Sequence, residues 1–144
     1  ALKGLKTRYD YIIIDTPPVL SLMTVNGFTA ADSVIIPTQA DKFSLESLGQ
    51  LAQTIDTIRK YTNPKIKIDG ILITRYKGRA KITKLFADMV EQTATALKTK
   101  VYGVKIRECI AIVESQALCR SIFDYAPSSN AAADYNTLID EIIQ

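Results

Sequence analysis

One stretch, Tyr9-Asp10-Tyr11-Ile12-Ile13-Ile14-Asp15-Thr16-Pro17-Pro18, limits what this chain can fold into. Three isoleucines run unbroken into an aspartate, and two prolines follow at once. An apolar run without alternation fits a strand buried on both faces, as in a parallel sheet. Asp15 then falls at the carboxyl end of that strand, where open α/β sheets place their ligand crevice. A carboxylate at such an edge commonly serves a metal–phosphate site. Pro17 and Pro18 fix φ and remove two N–H donors, which stiffens the loop. Asp and Pro are also ordinary turn residues, so Asp15 read alone fits a turn cap equally.

The rest of the chain alternates strand and helix. Ser21–Ala31 reads as a short helix with Leu22, Val25 and Phe28 on one side. Ser33–Pro37 reads as a second buried strand stopped by proline. From Ser44 the period turns helical, with Leu45, Leu48, Leu51, Ile55 and Ile58 at three- and four-residue steps. Ser44 is the expected cap, Glu46 suits the positive first turn, and Asn63-Pro64 ends the helix. Ile66–Thr74 is the third expected strand and Lys81–Lys98 the next helix, with Ile82, Leu85, Phe86, Met89, Val90 and Leu97 inward. Val101–Ile106 is the fourth strand, and a short helix follows around Ile112–Cys119. After the loop Tyr125–Ser129, a last helix turns Tyr135, Leu138, Ile139, Ile142 and Ile143 to the core. Such alternation predicts a single α/β domain over residues 1–144, a mostly parallel twisted sheet with helices on both faces.

Composition removes several classes of function. With no histidine, Ser-His and Cys-His nucleophile pairs are excluded. Cys109 and Cys119 have neither CxxC nor metal-ligand spacing and read as reduced cysteines of a cytoplasmic protein. The net charge of +3 is too small to imply nucleic acid by itself, so placement matters more. Arg75, Lys77, Arg79, Lys81 and Lys84 fall within ten residues with no acid among them. Cations at a helix start oppose its dipole by ~0.3–1 kcal/mol each. The cluster is therefore either a solvated helix start or a docking surface for an anion such as DNA phosphate, contacted without reading bases.

Order and spacing of several segments resemble the ParA/Soj partition ATPases, of the deviant-Walker-A group of P-loop NTPases. The likeness runs from Tyr9 through Thr29-Ala30-Ala31-Asp32-Ser33-Val34-Ile35-Ile36-Pro37-Thr38-Gln39-Ala40 to Leu51. It continues through Asp69–Tyr76, Ile106-Arg107 and Ser115–Ile122, and closes at Tyr125–Tyr135. The resemblance implies ATP and Mg²⁺ as cofactors, with Asp15 in the Walker B role, holding Mg²⁺ through water, and Thr16, Pro17 and Pro18 as the switch loop. It also implies that Thr74, Arg75, Ile106, Arg107 and Glu108 surround the nucleotide base. Thr74 equally fits a satisfied strand end, and Arg107 a surface charge. Lys77, Arg79, Lys81 and Lys84 are the expected contacts to nonspecific DNA. The family's arginine after the fourth strand is replaced by Ala111.

The family's phosphate loop, Lys-Gly-Gly-x-Gly-Lys-Thr/Ser, has no counterpart among Gly4, Gly27, Gly49, Gly70, Gly78 and Gly103. The expected fold is thus P-loop NTPase-like in three layers, incomplete on its N-terminal side, with open strand edges. In the family, the loop-bearing strand lies between the Asp15-type strand and the next. A chain without the loop is expected not to hydrolyse ATP alone. The implied function is DNA segregation of a plasmid or chromosome. It would act as a nucleoid-associated homodimer in the cytoplasm, stimulated by a ParB-like partner. Two alternatives are a non-catalytic DNA- or partner-binding paralogue and a bacterial capsule-type tyrosine kinase. The kinase ends in clustered tyrosines, which the last nine residues here do not contain. The acidic polar face of the closing Asp140-Glu141-Ile142-Ile143-Gln144 argues against docking on an anionic membrane.

Overall fold

The computed structural model of the chain describes residues 2–17, 21–78 and 81–143. Its elements are a 3₁₀ turn at Leu2–Gly4, then α1 (Leu22–Ala30), β1 (Ser33–Gln39), α2 (Lys42–Tyr61), β2 (Lys67–Thr74), α3 (Lys81–Ala96), α4 (Ile110–Ala117), α5 (Ile122–Tyr125) and α6 (Asn130–Ile143). β1 and β2 pair in parallel, from Ser33 opposite Lys67 to Gln39 opposite Thr74, with one register shift between Val34 and Ile35.

Side chains alternate across the sheet with the period of two that a pleated strand imposes. Ile71 and Ile73 of β2, with Val34 and Ile36 of β1, point to one face. There they meet Phe28 of α1, Leu48, Ile55 and Ile58 of α2, and Ala87, Val90 and Ala94 of α3. Leu72 and Ile35 point to the other face and meet Tyr102, Ile106, Ile112, Tyr135, Leu138 and Ile142. The sheet is therefore covered on both sides, in three layers.

The expected fourth strand joins β2 only at its ends. Val101 bridges Ile71 and Arg107 bridges Tyr76, both in parallel. Ile71 N–H donates to Lys100 O, Tyr102 N–H to Ile71 O and Ile106 N–H to Ile73 O, each at 2.9 Å. Between these ends, the N–H groups of Gly103 and Val104 donate at 2.9 Å to the two carboxylate oxygens of Glu141 on α6. A helix carboxylate satisfies these two donors, as buried or edge backbone groups require. The Tyr102 ring lies against Gly70, where a Cβ would come within 2.6 Å of ring carbon Cε2.

Tyr11–Ile14 does not form a strand. Ile13 is 92% exposed and Ile14 39%. A strand needs a neighbour to take up its N–H and C=O groups, and no such ladder forms along residues 11–17. The segment is held by side chains instead. Ile14 and Thr16 rest on α1 at Gly27, where a Cβ would lie 3.2 Å from Thr16 Cγ2.

Three helices differ in detail from expectation. α2 starts earlier, because Asp41 caps it by accepting from Ser44 N–H at 2.8 Å and from the Ser44 hydroxyl at 3.1 Å. α3 faces the sheet with Ala87, Val90 and Ala94, while Ile82, Leu85 and Met89 are exposed. Small residues let that helix sit close to the sheet, which turns its bulkier residues outward. On α6, Ala131, Ala132 and Leu138 face inward, and Ile139 and Ile143 are exposed. No helix of the described residues is long and apolar enough to cross a membrane.

Candidate nucleotide and anion site

The carboxyl ends of β2 and of the extended segment 100–108 converge on one rim. Thr74 ends β2, and its hydroxyl donates to Thr38 O of β1 at 3.1 Å. It is thereby a cross-strand tie. Arg75 follows in the left-handed region, with φ of 50°. For a residue with a Cβ that conformation costs about 1 kcal/mol or more. The turn lets Tyr76 pair with the neighbouring segment: its N–H donates to Ile106 O at 3.0 Å, and Glu108 N–H donates to Tyr76 O at 3.3 Å.

This pairing gathers the charged side chains. Arg75 Nη2 donates to Glu108 Oε1 at 3.2 Å, and Lys77 Nζ lies 3.0 Å from Glu108 Oε2. The hydrogen bond from Lys77, then that from Arg75, holds the Glu108 carboxyl below its ordinary range. Lys105 Nζ stands 5.1 Å from the centre of the Tyr76 ring, within cation–π reach.

Arg107 points elsewhere. Its guanidinium forks onto Asp134 of α6, with Nε to Oδ2 at 2.9 Å and Nη2 to Oδ1 at 2.6 Å, while its backbone N–H reaches Oδ2 at 3.0 Å. Burial pushes the Asp134 carboxyl up. The side-chain and backbone hydrogen bonds from Arg107 outweigh that and leave it below its ordinary value. The same carboxylate holds the guanidinium's pKa above its ordinary value. Arg107 is thus a strut between the rim and α6. Ile106 is 2% exposed and contributes both backbone groups to the ladder.

Thr74, Arg75, Ile106, Arg107 and Glu108 therefore share one rim, joined by Lys77. Asp15 is exposed and makes no hydrogen bond to that group among the described residues. Lys81 and Lys84 are exposed on the first turn of α3 and form no ion pair among the described residues. Pro18 and Arg79 lie outside the described residues. Sequence reasoning missed Asp134 and Glu141, which grip segment 100–108 from two turns apart on α6. Their seven-residue spacing puts both on one helix face, and nothing local links them to residues 103–107.

The residues present fit Mg-ATP in part. An exposed carboxylate suits a magnesium ion held through water, since Mg²⁺ keeps several of its waters. Phosphates need a cradle of backbone N–H groups. No described glycine has a positive φ, and no Gly-rich loop is present to form one.

The fold and its rim define a class: three-layer α/β domains built on a parallel sheet. Apo McdA from Cyanthece superposes with a TM-score of 0.75, covering 95% of this chain and 56% of that one at 21% identity, which is a likeness of fold alone. A Mycobacterium smegmatis cobyrinic acid a,c-diamide synthase with bound ADP and magnesium superposes with a TM-score of 0.66 at 29% identity, covering 83% of this chain and 53% of that chain. The AAA domain family AAA_31 matches residues 1–68. The sporulation initiation inhibitor protein Soj of Bacillus subtilis (strain 168) is 37% identical over 99% of this chain and 55% of its own length. The chromosome partitioning protein ParA of Myxococcus xanthus (strain DK1622) is 38% identical over 100% of this chain and 50% of its own length. Along nearly its whole length the chain is similar to the ParA/Soj-type proteins. It spans about half the length of these curated relatives.

Proposed function

We propose that this chain is the Asp15-bearing portion of a ParA-type partition ATPase. The observation that carries the reading is the likeness to Soj and ParA along 99–100% of the chain. In the working enzyme, Asp15 would hold magnesium through water, and Thr16, Pro17 and Pro18 would follow the state of the nucleotide. Bound magnesium supplies charge neutralisation on the phosphates. Arg75 and Glu108 would lie beside the nucleotide, and Lys77, Arg79, Lys81 and Lys84 beside a DNA backbone. Such contacts carry no sequence information, so binding would be nonspecific and strongly salt-dependent. Dimerisation on ATP, stimulation by a ParB-like partner and a nucleoid location complete the proposal. A chain without a phosphate cradle would not turn over ATP by itself, because phosphoryl transfer rests on positioning.

The test is retention of the complete gene product on a nonspecific duplex, followed by fluorescence anisotropy with ATP, with ADP and with no nucleotide. Tight binding with ATP alone supports the reading. Equal binding in all three conditions contradicts it and favours the non-catalytic module.

A further inference from the structure

Two groups assigned separate roles above, Arg75 on the nucleotide side and Lys77 on the DNA side, meet on one carboxylate. Each Glu108 oxygen takes one cation, at 3.2 Å and 3.0 Å. The arrangement has the shape of an anion site already filled by the protein's own anion. A phosphate offers the same features as the carboxylate: two oxygens, negative charge, and acceptors spaced to bridge an arginine and a lysine.

Two observations say that the internal anion can be exchanged. First, the three side chains are exposed, at 65% for Arg75, 64% for Lys77 and 40% for Glu108. Ion pairs this open to water hold weakly, so a more highly charged competitor can displace them. Second, the backbone ladder between Tyr76 and Ile106–Glu108, with the left-handed turn at Arg75, sets the distance across the rim, whereas the three charged side chains are joined by their contacts to one another. Swinging the Glu108 side chain away disturbs none of that ladder, since only its backbone N–H takes part.

We propose that Arg75 and Lys77 form a phosphate-binding site in which Glu108 is a built-in competitor, displaced when a phosphate ligand arrives. The site rests on the phosphate-binding reading given above and adds a regulating residue to it. Glu108 lowers resting affinity for stray anions and sets a threshold that only a multiply charged phosphate ligand crosses. The polyphosphate of a nucleotide and the backbone of a duplex share this chemistry, and two probes separate them.

The experiment compares the complete gene product with its Glu108→Gln variant and with the triple variant Glu108→Gln, Arg75→Ala, Lys77→Ala. Inorganic triphosphate is titrated by calorimetry and a nonspecific 20-base-pair duplex by anisotropy, at low salt. Glu108→Gln is expected to bind at least one probe roughly three- to tenfold more tightly, from the release of two exposed ion pairs. The triple variant is expected to lose the gain. A gain for triphosphate alone assigns the site to nucleotide phosphates and leaves the DNA reading without this surface. A gain for the duplex alone assigns it to DNA. Equal binding of both probes by wild type and Glu108→Gln overturns the proposal while leaving the phosphate reading intact. If neither probe binds any variant, both fail. Thermal melts of all three proteins are expected to agree within a few degrees, because the Glu108 side chain supports no buried group.

Discussion

Replacing Asp134 by alanine tests whether the rim is held from α6. The Asp134 side chain is 9% exposed and receives Nε, Nη2 and the backbone N–H of Arg107. Hydrogen bonds to a charged group contribute ~1.5–3 kcal/mol each and are not additive. Breaking a fully buried ion pair costs ~3–5 kcal/mol. Arg107 is 46% exposed and can rehydrate its guanidinium, so the cost falls at or below the lower end of that range. The backbone N–H of Arg107 is left to water. The expected loss is about 2–3 kcal/mol, or a fall in Tm of roughly 10 °C for a chain of this size. Urea unfolding followed by circular dichroism reads it directly. Asp134→Asn adds a pH signature. A carboxyl held below its ordinary 3.8 contributes stability that is present above that value and is lost as pH falls through the lowered one. The wild type should therefore lose stability below about pH 4 more steeply than Asp134→Asn. A change smaller than about 0.5 kcal/mol in Asp134→Ala, the level of ordinary surface substitutions, would refute the strut.

Two further outcomes follow from the same geometry. Gly70→Ala places a methyl 2.6 Å from the buried Tyr102 ring and should destabilise the fold by about 1–3 kcal/mol, measured by thermal melting; an unchanged melt would mean that the ring does not rest there. Changing Lys77, Arg79, Lys81 and Lys84 together to glutamate in the complete gene product should abolish DNA retention and its salt dependence in the anisotropy assay, and unchanged binding would put the DNA surface elsewhere.

Much of the architecture could be read from periodicity, because burial on two faces leaves a dense local signal. Ile71-Leu72-Ile73 announces a strand that points alternate residues into two cores. Leu48, Ile55 and Ile58 announce the inner face of α2. Tyr11–Ile14 carries the same signal and does not form a strand, since an apolar run specifies a preference and a ladder needs a partner. α3 misled for another reason: Ile82, Leu85 and Met89 are exposed, and Ala87, Val90 and Ala94 make the close contact. On the rim, Thr74, Arg75, Arg107 and Glu108 came together as a group only through the resemblance to the ParA/Soj family. Their pairing was not legible. Arg107 turns to Asp134, 27 residues away, and Glu108 turns to cations 33 and 31 residues back. Such contacts arise from how the layers stack, which local spacing does not encode.

A magnesium-linked nucleotide at Asp15 is the central claim. Its most direct test is steady-state ATP turnover by the complete gene product, wild type against Asp15→Ala, with DNA present. The account predicts turnover in the wild type and a loss of about a hundredfold or more in the variant, with the thermal melt without nucleotide unchanged because the carboxylate is exposed. Equal turnover in the two proteins would contradict it.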